Sequence, residues 1–243
     1  MEQKLYFLHE KFEKIISSLK PAAVRVNRQL LDIVIWGKTA PRLGETTLVP
    51  TTTIKNACTL HKNNYSLFQG SIVNGDWDLH IFPLMNIKRI LLMYKMYRHE
   101  PNSEQGFRDF LLEHGLEKSE CENKIQRAWR VYESLKNRGF ICQYAKTGVT
   151  SRVIREKSAV RASVTRSGEI VWNGSAHRMA ASLALEFDVI PVSILWRHRE
   201  WQLYRRDLYL RYKKGEDIPN DDSSHPDIML LLERSSKWKN QFA

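Results

Sequence analysis

The stretch from Val160 to Leu195 changes its hydrophobic period more than once, and that constrains the fold more than any other feature. In VRASVTRSGEIVWNG, Val160, Ala162 and Val164 alternate ahead of Ser167-Gly168, and EIVW follows, which predicts a β-hairpin. Helical spacing takes over from Ala176 to Phe187, and strand character returns from Ile190 to Leu195. Strand, tight turn, helix and strand in quick succession point to an α+β protein.

Around this unit the chain is mostly helical. Gln3 to Leu19 carries apolar residues near helical spacing, and Ala23 to Phe68 is rich in β-branched residues (VRVN, LLDIVIW, TTLVPTTTIKN), which predicts short strands and loops. Helices are expected over Leu84–Arg98, over Ser103–His114 before the break at Gly115, and over about Glu120–Arg138, with Gly139 as a C-terminal cap. After the last strand come a helix from His198 to Lys214, the polar loop NDDSSH, and an amphipathic helix from Pro226 to Lys239.

Composition narrows the function. The 243 residues carry 38 Lys+Arg against 27 Asp+Glu, a net +11, which favours anionic partners without choosing among nucleic acid, nucleotide, phosphorylated sugar or membrane surface. Basic residues are densest in RHREWQLYRRDLYLRYKK, which reads either as a solvated helix face or as a patch. No apolar run approaches the roughly 20 residues of a membrane span, and MEQKLYFLHEKFEK is charged throughout, unlike a signal peptide. A cytoplasmic location is therefore expected. Cys58, Cys121 and Cys142 lack C-x-x-C spacing and should be free thiols.

Asn173-Gly174-Ser175 stands where a strand turns into a helix, with His177 and Arg178 in the helix's first turn. Ser175 is a candidate N-cap, and Gly174 would let the backbone come close to a ligand. Unpaired N–H groups and the positive end of the dipole make such a turn a seat for phosphate, and the His-Arg pair adds donors. The plainer alternative is two surface side chains on an alanine-rich helix.

The run GEIVWNGSAHRMAASLAL, continued by VIPVSI, resembles the second sequence box of the ParB/sulfiredoxin superfamily: a strand, a G-x-H-R or G-x-R-R turn, an alanine-rich helix and a strand opening I-P-V. Ala128 to Phe140 resembles the first box, so both occur in order, over roughly Glu120 to Arg199. Two features depart from the pattern. Ser175 and Ala176 stand where one residue is usual, and Ala176 occupies the position of the sulfiredoxin catalytic cysteine, which argues against sulfinic acid reduction. The resemblance implies a ParB/sulfiredoxin-like module at 119–199, preceded by a helical and β N-terminal extension at 1–118 and followed by a helical C-terminal tail at 200–243.

It also implies a nucleotide whose phosphates sit at Asn173, Gly174, Ser175, His177 and Arg178. Members of the superfamily include DNA-segregation proteins, nuclease-like proteins and small-molecule kinases. The tail is too short for an added DNA-binding domain with a dimerising segment, and the second box shows no clustered acids for metal-assisted hydrolysis. A kinase is the better expectation: ATP or ADP with Mg²⁺ as donor, and a hydroxyl of a small molecule or glycan as acceptor. Nucleic-acid binding or a nuclease is the alternative. Such kinases place a catalytic glutamate just upstream of the first-box helix, where Glu120 and Glu122 stand, and His177 joins them as a catalytic candidate. The competing reading of both glutamates is helix-end acids favoured by the dipole.

Asp76-Trp77-Asp78, on the turn begun by Asn74-Gly75, would serve the acceptor, its carboxylates binding Mg²⁺ or sugar hydroxyls while the indole stacks on a sugar face. ParB-like proteins of cell-surface polysaccharide loci carry a similar segment. An Asx-type turn with Trp77 buried is the alternative. The three residues are expected to share a cleft with His177 and Arg178, brought there by the helix Leu84–Arg98, with Arg197 and His198 facing the same pocket.

Overall fold

A computed structural model describes residues 32–41, 45–58, 71–140 and 159–240, with side chains as far as Glu233. The expected helix at Gln3–Leu19 and the thiol of Cys142 lie outside the described residues. The first half contributes β1 (Thr46–Pro50), β2 (Asn56–Cys58), β3 (Ser71–Val73), β4 (Ile81–Pro83), α1 (Lys88–Tyr97), α2 (Ser103–Glu113) and α3 (Lys118–Arg138). The second half contributes β5 (Val160–Val164), β6 (Ile170–Gly174), α4 (Ala176–Ala184), β7 (Val189–His198), α5 (Arg199–Lys214), α6 (Asn220–Ser224) and α7 (Pro226–Asn240).

All seven strands form one mixed sheet in the order β1-β7-β5-β6-β2-β4, with β3 also on β7. The fold is α+β. The expected hairpin is present: β5 and β6 pair antiparallel, Val164 opposite Ile170 and Arg161 opposite Gly174. β7 runs parallel to β5, while β1 pairs antiparallel with its first half from Val189 to Ser193. β3 runs parallel to its last residues, Trp196 to His198. Strands from the N-terminal segment therefore share one sheet with β5, β6 and β7.

The apolar periods explain the packing. Cys121, Ile125, Ala128, Tyr132 and Leu135 are the buried positions of α3, and Ile90, Met93, Met96 and Tyr97 those of α1. α1 and α3 both pack on α4, whose alanines allow close approach, and α2 packs on α1 and α3. Met179 of α4 is fully buried in this core, which by area alone is worth about 1.5–3 kcal/mol. On the remaining elements, α5 contacts β7 and β3, and α7 contacts β1 and α5.

The helix boundaries differ from expectation only locally. Leu84–Asn86 is a 3-10 turn, so α1 begins at Lys88, and α3 begins two residues before Glu120 because Glu117 caps it. β7 continues to His198 rather than ending at Leu195, and the loop before α7 contains the short α6. LLDIVIW is a correction: residues 32–36 are helical, with Trp36 buried and Ile33 and Val34 exposed, so packing of the indole overrides β-branched propensity. At Gly168, φ is +87°, and a Cβ there would lie 2.5 Å from the Trp201 ring; the hairpin turn needs glycine for both reasons.

Candidate functional site

The β6–α4 turn gathers five cationic side chains and one imidazole from four elements. His177 and Arg178 come from α4, Arg89 from α1, Lys124 and Arg127 from α3, and Arg161 from β5. Arg89 Nη2 lies 3.2 Å from His177 Nε2. Burial chiefly, then the charges of Arg89, Arg127, Lys124 and Arg178, push the His177 imidazole down to about 4. The Arg178 guanidinium is likewise lowered, by burial and then by Arg161 and Arg127. Among the described residues, none of the six makes an ion pair with a carboxylate.

The donors here are also idle. Arg89 Nε, Arg161 Nε and His177 Nδ1 are buried atoms with no hydrogen-bond partner among the described residues. A buried donor left unpaired costs about 1–3 kcal/mol, and cations crowded without counter-charge repel one another. A cluster of this kind is complementary to an oxyanion. The helix end adds to it: the N–H groups of Arg178 and Met179 bond the Ser175 carbonyl, and those of Ala176 and His177 have no acceptor within the helix.

No protein-family model, curated protein or solved structure matches the chain.

The turn residues take parts other than those expected. Ser175 is the N-cap by position, in the left-handed region at φ 67° and ψ 48°, but its hydroxyl donates to the Ala159 carbonyl at 3.1 Å and caps no helix N–H. A Cβ on Gly174 would meet Arg161 Cδ at 3.3 Å, so the glycine makes room for that arginine's stem. Asn173 is buried and donates to the Cys58 carbonyl at 3.4 Å, tying β6 to β2. Of the expected phosphate residues, Arg178 alone brings side-chain charge to the seat, and His177 adds a neutral imidazole.

Asp76, Trp77 and Asp78 are placed elsewhere. Asp78 accepts from Arg166 Nε and from the Arg166 backbone N–H at 2.8 Å, and Asp76 pairs with Arg166 Nη2 at 2.9 Å. Burial pushes the Asp78 carboxyl up, and the Arg166 hydrogen bonds more than offset it, holding it below its ordinary value. Arg166 sits at the turn end of the hairpin, while Gly174 is at the other end of β6, about 13 Å of strand away. Trp77 is buried against Trp196, ring centroids 6.0 Å apart. The shared cleft is thus corrected: α1 does pack on α4, but it delivers Arg89 and leaves Asp76-Trp77-Asp78 at the opposite end of the hairpin.

Arg197 and His198 are corrected with them. Both are buried, Arg197 bonded to Asp227 and to Glu45 at 3.0 Å, and His198 donating from Nε2 to the Gly75 carbonyl at 2.9 Å while its Nδ1 accepts from the Glu200 N–H. Neither reaches the α4 turn. Glu120 and Glu122 are exposed. Glu120 completes a capping box with Glu117, and Glu122 accepts from Arg108 at 2.6 Å, whose hydrogen bond holds it below its ordinary value.

Sequence reading missed Arg89, Lys124, Arg127 and Arg161. The available signal was positional: Arg161 interrupts an apolar strand, Arg89 precedes a buried isoleucine, and Lys124 and Arg127 share one face of α3. Among the described residues the cluster offers nitrogen donors and no carboxylate, which fits phosphate oxygens and does not fit Mg²⁺. Among the described residues, no three His, Cys, Asp or Glu side chains converge as a metal site. No described helix is long and apolar enough to cross a membrane.

Proposed function

We propose that the chain is a ParB/sulfiredoxin-like nucleotide-binding protein that seats the phosphates of ATP or ADP at the β6–α4 turn and transfers phosphate to a hydroxyl of a small molecule or glycan. The observation that carries the reading is the set of cations around His177 that have no carboxylate partner among the described residues, with three buried donors there likewise without a partner among them. The order of hairpin, helix and strand agrees with the resemblance in the two sequence boxes.

Nucleotide is favoured over nucleic acid by recession. Arg89, Arg161, His177 and Arg178 are half-buried, and a terminal phosphate can enter such a niche more readily than the backbone of a duplex, which is met on exposed, laterally repeated cations. Of the two candidate bases, Glu120 lies one helical turn before Lys124 on the same face of α3 and would leave only a capping-box contact to act, whereas Glu122 is held by the Arg108 guanidinium on α2. Its part would be to accept the proton of the attacking hydroxyl, while the cations hold the phosphate in line.

Calorimetric titration with ATP, ADP and duplex DNA at two salt concentrations tests this. Saturable nucleotide binding is expected, weakened roughly tenfold or more by Arg178→Ala or Arg161→Ala, the usual loss for a charge-assisted hydrogen bond. With nucleotide consumed in the presence of an acceptor, Glu120→Gln should keep affinity and lose about 10²-fold or more in turnover. Heat from DNA alone, falling steeply with salt, would replace the reading with the nucleic-acid alternative.

A further inference from the structure

Arg89 approaches His177 from a helix outside both sequence boxes, and the contact fixes chemistry as well as position. A guanidinium donates and never accepts, so the lone pair at 3.2 Å must belong to His177 Nε2, and the proton of the neutral ring sits on Nδ1. That Nδ1 is buried and has no partner among the described residues. Arg89 Nε is likewise buried with no partner among the described residues.

We propose that Arg89 is a positioning residue that locks His177 as the neutral Nδ1–H tautomer, so that the seat reads a fully ionised, acceptor-only oxyanion through an uncharged imidazole donor. For its ligand this rests on the phosphate-seat reading. The ligand class is a phosphate monoester dianion or the end of a polyphosphate, every reachable oxygen of which accepts. A protonated oxygen facing Nδ1–H accepts more weakly than an ionised one and carries less charge for the surrounding guanidiniums.

The groups around the ring support the lock from each neighbouring element. Arg89 lies on α1, with Tyr97 of the same helix facing its guanidinium; Lys124 and Arg127 lie on α3; Arg178 lies on α4 itself; and Arg161 of β5 faces Arg178. Adding a proton at Nε2 would aim N–H at the Arg89 N–H and place one more positive charge among these. Burial and the same charges hold the imidazole at about 4, so the ring is uncharged at neutral pH.

Two measurements test the proposal. Long-range ¹H–¹⁵N spectra of the ligand-free full chain, with His177 assigned by comparison with His177→Gln, should show the Nδ1–H neutral pattern unchanged between about pH 5.5 and 8. Arg89→Met should give mixed tautomers and a titration moved upward from the wild-type value, with burial and the remaining cations keeping it below the ordinary histidine value, and Arg89→Lys should restore the wild-type pattern. Sulfate, a dianion throughout this range, is the ligand probe. Its affinity should be flat with pH in the wild type, and in Arg89→Met it should rise at least about threefold as the imidazole becomes charged.

An Nε2–H pattern, or ordinary titration of His177 in the wild type, overturns the proposal even if the Arg89 variants do not fold. Sulfate failing to bind while the Nδ1–H pattern holds overturns the phosphate seat and the ligand class, and leaves the positioning role standing.

Discussion

Asp227, the second residue of α7, accepts from Arg197 Nε on both carboxylate oxygens, at 2.9 and 3.0 Å, and both side chains are sealed from solvent. Arg205 Nε lies 3.3 Å from the same carboxylate, and Trp201 Nε1 donates to it at 2.9 Å. The last helix is therefore fastened to the end of β7 by charge.

Asp227→Asn should destabilise the fold by about 3–5 kcal/mol, because it leaves two buried guanidiniums short of counter-charge. Burial pushes the Asp227 carboxyl up, but Arg197 and Arg205 pull it well below its ordinary range. A depressed carboxyl contributes stability that is complete above the unfolded value and is lost as pH falls below about 4. Denaturant melts at pH 7 and pH 3 check this, and the gap between wild type and variant should narrow at the lower pH.

Gly168→Ala should cost about 2–4 kcal/mol, combining a left-handed backbone with overlap against Trp201. The ring has little room to retreat, since Asp227 holds its nitrogen and the His225 ring lies 4.6 Å away. A thermal melt of the variant that matched the wild type would show that the hairpin and α5 are not in contact at this turn.

His177 gives a pH dependence of the same sign in a higher window. Above about pH 6.5 the ring is neutral whether folded or unfolded, and below it the unfolded chain gains a proton that the folded chain takes up only near pH 4. Stability should therefore fall as pH drops from 6.5 to 4, by something on the order of 1–3 kcal/mol. In buffer free of phosphate and sulfate, His177→Gln should flatten that slope, as followed by unfolding midpoints across the interval.

Asp78→Asn separates the two ends of the hairpin. Removing the charge that receives Arg166 at a nearly inaccessible carboxylate should lower stability by about 1–3 kcal/mol. Sulfate and nucleotide affinity should be unchanged within error, because the α4 turn lies at the other end of the strand. A tenfold loss of affinity in a folded variant would return Asp78 to the ligand site.

α3 with its glycine end and α7 were legible because each buries one face and exposes the other, which leaves a period in the residues, and the hairpin was legible from its Ser167-Gly168 turn between two short apolar runs buried on both faces. Helix 32–36 was not, since its β-branched composition argues locally for strand and only the burial of Trp36 decides. Within the site, His177 and Arg178 could be found because the helix start that presents them is a local feature. Arg89 and Arg161 could not, because what joins them to His177 is the docking of α1 on α4 and the pairing of β5 with β6, separated from His177 by long stretches of chain. The same limit misplaced Asp76 and Asp78: turn chemistry marks a carboxylate pair without saying which end of the sheet receives it.

β1 and β3 share one long side of β7, one covering Val189–Ser193 and the other Trp196–His198. Cutting the chain before Lys118 to isolate the boxed region would strip both away. The remainder would carry an unpaired edge along those eight residues of β7, a template on which a second copy could add its own strand. Such a fragment should precipitate or form dimers on its own, for lack of a selvedge that the first half of the chain supplies.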